Sequence, residues 1–286
     1  MTNPSGELTM KHNNLFAILV ASFLSACSHV NMQSEAKKII GNNDMIPVEE
    51  GGKNLPENLR PLIYAIGMLE MGCTVTHIGN GVALTAGHCV PQEGISSERC
   101  LSATFPKMVV RWNYFPGAET VPASNCVKVL QTELNDKRDY AILLVDNPPQ
   151  AKIDVDLTLR PKISTQLTIL GHPKKRALEW SQYCTLEKLH RDDTADTLQP
   201  ASSSSLATED KFSHQCDTDH GNSGSVVIDV STLKVIGIHH GGIEDWNSAT
   251  YVASKNLSGG IESAFSRAAA IAAKQKSAAD NSAASK

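Results

Sequence analysis

Short apolar stretches broken by turn residues run along the first half of the chain, at positions 62–66, 81–84, 108–112 and 141–145. They are rich in β-branched and aromatic residues and too short for helices, so they predict strands. Between the first two, His77-Ile78-Gly79-Asn80-Gly81 carries an Asn-Gly pair, whose tolerance of positive φ predicts a tight hairpin. The second half repeats the style at 166–170, 225–228 and 235–239. Asn147-Pro148-Pro149 breaks the pattern and places a junction at 147–165, since proline cannot donate to a strand ladder. The pattern predicts an all-β protein of two barrels, about 55–150 and about 160–257. Residues 191–211, dense in Asp, Ser and Thr, predict an exposed loop between Cys184 and Cys216. From Ser258 the chain turns alanine-rich. Ile261, Phe265, Ala268/Ala269 and Ala272 then fall at helical spacing. This predicts a C-terminal helix over 258–286, packed on a barrel by its apolar stripe and frayed over its last ten or so residues.

Composition narrows the class. The 286 residues are 41% hydrophobic and 20% charged, as in a soluble globular protein, which excludes a wholly disordered chain or a multi-span membrane protein. A net charge of −4 gives no basic field for nucleic acid or an anionic membrane. Near the start, Lys11 and His12 precede an apolar run at 15–24, about half the length that spans a bilayer, which reads as a signal-peptide core. It ends in Leu24-Ser25-Ala26-Cys27, which resembles the lipobox of bacterial lipoproteins. The resemblance implies removal of 1–26, acylation of Cys27 and a tether or propeptide at 27–38. Ser28 after it is similar to an outer-membrane address. Cys27 is the odd one of seven cysteines. Cys73, Cys89, Cys100, Cys126, Cys184 and Cys216 remain, an even set for an exported protein in an oxidising compartment. Six allow fifteen connectivities; proximity in sequence favours 73–89, 100–126 and 184–216.

Three segments carry chemistry: Leu84-Thr85-Ala86-Gly87-His88-Cys89, Arg138-Asp139-Tyr140-Ala141-Ile142-Leu143 and Asp217-Thr218-Asp219-His220-Gly221-Asn222-Ser223-Gly224-Ser225. Together they offer His, Asp and Ser in that order. A serine hydroxyl is a poor nucleophile until a neighbouring base takes its proton, and an imidazole does this near neutral pH. A buried carboxylate on the other ring nitrogen fixes the tautomer and stabilises the imidazolium. Asp136 competes for that role, but Asp139 directly precedes the apolar strand. Backbone amides in a tight turn stabilise an oxyanion without reorganising, and Gly221 and Gly224 flank Ser223 closely enough to shape one. The expected oxyanion hole is the N–H groups of Gly221 and Ser223.

These segments resemble trypsin-like (chymotrypsin-fold) serine endopeptidases, and most of all the bacterial glutamyl endopeptidase branch. The resemblance covers about 39–257. Thr85 to Cys89 is similar to the family's histidine segment, Asp139 to Ile142 to its aspartate segment, and Gly221 to Ser225 to its nucleophile segment. The 16-residue step from Cys73 to Cys89 is similar to a family disulfide. The resemblance implies two six-stranded antiparallel β-barrels with the site in the cleft between them. It also implies a His88/Asp139/Ser223 triad acting on protein or peptide substrates. In the glutamyl branch, residues matching His239 and Thr218 contact the substrate carboxylate, which implies cleavage after Glu or Asp. Asp217, six before Ser223, competes: counted in the trypsin-type register it implies cleavage after Arg or Lys. Lys38-Ile39-Ile40-Gly41 resembles the branch's mature start. This implies cleavage near Ile39, which would free the enzyme from its lipid. With Asn222 before the nucleophile, the trypsin-type ion pair to a new amino terminus is not available.

Other classes fit less well. Ser225 stands where an α/β-hydrolase elbow needs Gly, and the order Ser, Asp, His is absent. No His-Glu-x-x-His occurs, and the histidines at 214, 220, 239 and 240 match no metal-cage spacing. The expectation is a cofactor-free, metal-free serine endopeptidase, monomeric and touching membrane only through lipid at Cys27. A non-catalytic binding module on the same fold is the alternative.

Overall fold

A computed structural model describes residues 39–91, 100, 108–118, 120–135, 137–158, 161–190, 210–243 and 246–284. The lipobox with Cys27, the tether at 27–38, Asp136 and most of the 191–211 segment lie outside the described residues. Thirteen strands and one long helix follow one another in the described residues. The first barrel is built from β2 (Ile66–Leu69), β3 (Thr74–Gly79), β4 (Val82–Thr85), β5 (Val109–Trp112), β6 (Ala123–Leu134) and β7 (Asp139–Val145). It closes in the order β2-β3-β4-β7-β6-β5. The second uses β8 (Gln166–Gly171), β9 (Glu179–His190), β10 (Lys211–His214), β11 (Val226–Asp229), β12 (Lys234–Ile243) and β13 (Trp246–Tyr251). It runs β8-β9-β10-β13-β12-β11 and closes where β11 pairs back with β8. The short β1 (Ile46–Pro47) adds to the edge of β9. Two six-stranded antiparallel barrels, joined across 146–165, match the expected architecture.

Local chemistry explains most of these boundaries. Asn80 and Gly81 take φ of 52° and 75°, the tight hairpin expected between β3 and β4. The stretch at 62–66 differs from expectation. Leu62 to Ala65 finish a 3-10 helix, Glu57–Ala65, and the strand begins only at Ile66. Pro61 has no N–H for a ladder, while Leu59 and Ile63, four apart, turn one apolar face into the core.

The central strands read as unbroken apolar runs because both their faces are buried. In β7, Ala141, Leu143 and Val145 fill the first barrel, whereas Tyr140, Ile142 and Leu144 join a layer outside it. In β11, Val227 points into the second barrel, and Val226 and Ile228 into the same shared layer. That layer also takes Leu59, Ile63 and the helix α1 (Lys255–Ala284). The disulfides Cys73–Cys89, Cys100–Cys126 and Cys184–Cys216, with Cα separations of 6.1, 5.7 and 4.8 Å, follow the pairing favoured by proximity.

Helix α1 begins three residues earlier than its pattern predicted. It buries Leu257, Ile261, Ala264 and Ala268. Ala269 and Ala272 are exposed, so the apolar stripe ends at the half-buried Ile271. Arg267 Nη1 donates to the Leu130 carbonyl at 2.7 Å and pins the helix to β6. The helix runs to Ala284. Ile261→Ala is expected to cost about 2–5 kcal/mol in urea unfolding, and Ala272→Gln to change stability by less than about 0.5 kcal/mol.

Candidate active site

His88 sits in a 3-10 turn, Gly87–Cys89, at the end of β4, and Asp139 opens β7 beside it. Both carboxylate oxygens hold the histidine. Oδ1 accepts the His88 backbone N–H at 3.0 Å, and Oδ2 lies 2.7 Å from Nδ1. Burial pushes the Asp139 pKa up, but the hydrogen bonds from His88 and the nearby His240 and His88 rings outweigh it and hold the carboxyl below its ordinary value. An ionised carboxylate accepts only, so Nδ1 carries the proton and Nε2 is left as the basic nitrogen. Asp139 is itself clamped by Thr250 of β13. The Thr250 hydroxyl accepts the Asp139 N–H at 3.1 Å and donates to its carbonyl at 3.2 Å.

Ser223 lies in the loop before β11 and is buried. Its carbonyl accepts the N–H of Thr74, on β3 of the other barrel, at 2.9 Å, and lies 3.9 Å from Cys89 Sγ. Thr74 Oγ1 donates to the Gly221 carbonyl at 2.9 Å and accepts the His172 N–H at the same distance. The turn is closed by Ser225 N–H to the Asn222 carbonyl at 2.8 Å and by Gly224 N–H to the His239 carbonyl at 2.7 Å. Gly224 takes φ of 87°, and a Cβ there would run into Thr85 Oγ1 and the Thr74 carbonyl. Gly221 takes φ of 95°. The Lys174 N–H donates to the His220 carbonyl. That peptide bond is trans, so the Gly221 N–H points the opposite way, away from Lys174.

The expected pocket residues divide. Thr218 Oγ1 donates to Asn247 Oδ1 at 3.0 Å, and Asn247 Nδ2 donates to the Cys216 carbonyl at 2.7 Å. His239 Nδ1 lies 3.3 Å from His214 Nε2, with the rings edge to face. Thr218, His214, His239 and Asn247 are all buried, and burial drives the pKa of His214 down to about 3 and of His239 well below its ordinary value. Asp217 turns elsewhere: Oδ1 accepts the Ile40 N–H at 2.8 Å and Oδ2 the Asp44 N–H at 2.7 Å. Two His/Cys groups, Cys73/His88/Cys89 and Cys184/His214/Cys216, bring possible metal-ligand atoms within 4.8 Å, but their sulfurs are joined as disulfides. Thr74, Thr250 and Asn247 escaped sequence reasoning. Each works across a long stretch of chain, and no local motif marks them.

A family model described as a trypsin-like peptidase domain matches residues 72–238. Among solved structures, a Glu endopeptidase in complex with MPD is similar at 19% identity and a TM-score of 0.56, covering 79% of this chain and 98% of that one. Rv3671c of M. tuberculosis, in an inactive form, is similar at 14% identity and a TM-score of 0.48, covering 75% and 91%. A search of curated protein sequences finds no match.

Two measurements probe the site's physical setting. Gly224→Ala is expected to lose about 3 kcal/mol or more of stability, from backbone strain and the collision with Thr74 and Thr85, when unfolded in urea. The buried rings of His172, His214 and His239 have pKa values lowered by burial, to about 4 for His172 and about 3 for His214. Their contribution is therefore fully present above the unfolded value of about 6.5 and is lost as pH falls toward the folded values. Stability should drop by on the order of 1 kcal/mol per pH unit per histidine below that point. A melting temperature that stays flat from pH 6.5 to 4 would contradict this.

Proposed function

Because the chain belongs to the trypsin-like peptidase domain family, we propose that it is a serine endopeptidase with His88, Asp139 and Ser223 as its triad. The observation that carries the reading is the two-point grip of Asp139 on His88, which leaves His88 Nε2 as the base, with the Ser223 carbonyl 3.9 Å from Sγ of the adjacent Cys89. Ser223 Oγ attacks the peptide carbonyl carbon as His88 Nε2 takes its proton. The carbonyl π pair moves to oxygen, where the N–H groups of Gly221 and Ser223 receive it. As the tetrahedral centre collapses, the C–N bond breaks and His88 returns the proton to the leaving amine. Water then cleaves the acyl ester by the same steps, with His88 as base and then acid.

The proposed preference is for Glu or Asp at the cleaved position, through His239 and Thr218. Asp217 supports this by its placement, since its oxygens are taken up by the amino-terminal segment and it offers no carboxylate to an Arg or Lys. The groups that remain are neutral, with His239 held uncharged by burial. A substrate carboxylate would have to draw the Thr218 proton away from Asn247. The reading extends to an exported enzyme anchored by lipid at Cys27, and the three disulfides support an oxidising compartment.

Ser223→Ala is expected to lower kcat by on the order of a million-fold, and Asp139→Asn by about ten thousand-fold, with little change in KM. A fluorophosphonate probe should label Ser223 in the parent protein and not in Ser223→Ala. Absence of labelling would favour a catalytically silent binding module. A peptide library digested only after Arg or Lys would overturn the acidic preference and leave the triad standing.

A further inference from the structure

The proposed triad contributes nothing to a cavity of about 800 Å³ on the first barrel. Three pieces of chain wall it: the 3-10 helix Glu57–Ala65, the end of β5 with the residues after it, and residues 147–151 of the junction. The junction wall is tied down by His77. Its Nδ1 donates to the Ala151 carbonyl at 2.7 Å, and its Nε2 accepts the Gly81 N–H, which fixes that tautomer. Tyr64, Pro148 and Pro149 give the cavity apolar surface, and Tyr64 is 38% exposed. A second hollow of about 540 Å³ shares Tyr64, Asn113 and Pro122 with the first, so the two form one groove.

Each part of the groove has one charged lining residue among the described residues, Arg60 in the first and Glu50 in the second. Both are exposed. Arg60 Nε donates to the Leu55 carbonyl at 3.1 Å, and no acidic group pairs with the guanidinium among the described residues. That bond steadies the guanidinium and leaves its Nη groups to meet a carboxylate. Asn113 lines both parts. Its φ is 57°, and its Oδ1 is buried without a partner. Turning the carboxamide about χ2 exchanges Oδ1 with Nδ2 and moves no backbone. A peptide group beside it can then be met as donor or acceptor, which ends the isolation of Oδ1.

We propose that this groove binds a short peptide with a free carboxyl terminus. The carboxylate meets Arg60, a main-chain amide meets Asn113, and an apolar last side chain rests on Tyr64 and the prolines. A basic residue upstream lies toward Glu50. The opposite direction sets carboxylate against Glu50 and ammonium against Arg60, so the two charges select one orientation. A concave, largely apolar surface with a few polar groups suits a small ligand of this kind. The inference does not rest on the catalytic reading, although the products of a peptidase belong to this chemical class.

The probe is the tetrapeptide Lys-Ala-Ala-Leu, titrated by calorimetry into the full chain carrying Ser223→Ala, so that it is not cut. Its carboxyl amide is expected to bind at least about tenfold more weakly, and so is the free acid to Arg60→Gln. In Arg60→Gln the amide and the acid should bind alike, which ties the carboxylate to that side chain. Glu50→Gln should weaken the acid by about threefold. Asn113→Gly keeps the positive φ and should weaken it by about threefold or more. Equal binding of acid and amide, a full loss on amidation that persists in Arg60→Gln, unchanged affinity in Glu50→Gln and Asn113→Gly, or no binding at about 1 mM peptide would each overturn the proposal. The comparison of acid with amide needs no substitution in the groove, so it decides the matter even if a variant folds poorly.

Discussion

Two threonines hold the seam between the barrels together, and each belongs to the barrel opposite the residue it grips. Thr74 of the first barrel holds the loop of Ser223 through that residue's carbonyl and the Gly221 carbonyl. Thr250 of the second barrel holds both backbone groups of Asp139. A site shared between two barrels is only as exact as their relative placement, and an error of an ångström at the seam would separate the residues each barrel contributes. Hydrogen bonds between buried groups are suited to that task because they fail steeply with distance and angle. The Cys73–Cys89 bridge reinforces the same place, since its two ends flank Thr74 and His88.

Electrostatics at the site follow from the same seam. Asp139 is buried enough that it would tend to take up a proton, yet hydrogen bonds from His88 keep it ionised. The buried histidines His214 and His239 are neutral for the converse reason, burial with no carboxylate bonded to their rings among the described residues. Negative charge is therefore held at Asp139 beside the His88 ring, while the neighbouring wall stays uncharged. That contrast comes from position in the fold, because the side chains on both sides are of the same few types.

What could be read from the chain alone was whatever chemistry acts locally. Asn80-Gly81 specifies its hairpin through two backbone angles, and Gly221 and Gly224 mark a turn that needs residues without a Cβ. The His88, Asp139 and Ser223 segments each carry their own short pattern. The stretch at 62–66 was misread because a brief apolar run has no period of its own, and Pro61 was the available hint that no ladder continued there. Ala272 fitted the helical stripe by spacing, but the barrel surface ends before reaching it. The tie between Ile40 and Asp217 spans 177 residues and runs from a main-chain group to a carboxylate, so no pattern of side chains could announce it. Thr74 and Thr250 escaped for the same reason.

The shared apolar layer has a consequence for how the molecule comes into being. Tyr140, Ile142 and Leu144 face outward from the first barrel and are covered only when later parts of the chain arrive. During synthesis the first barrel can close its own ladder, yet it remains sticky until Val226, Ile228 and the helix are made. Neither barrel is therefore a self-sufficient folding unit, and a split of the chain near residue 150 would leave two half-covered pieces prone to associate wrongly. Helix α1, which follows both barrels in the chain, carries Leu257 and Ile261 into that layer, so the layer is not covered until the helix has been made.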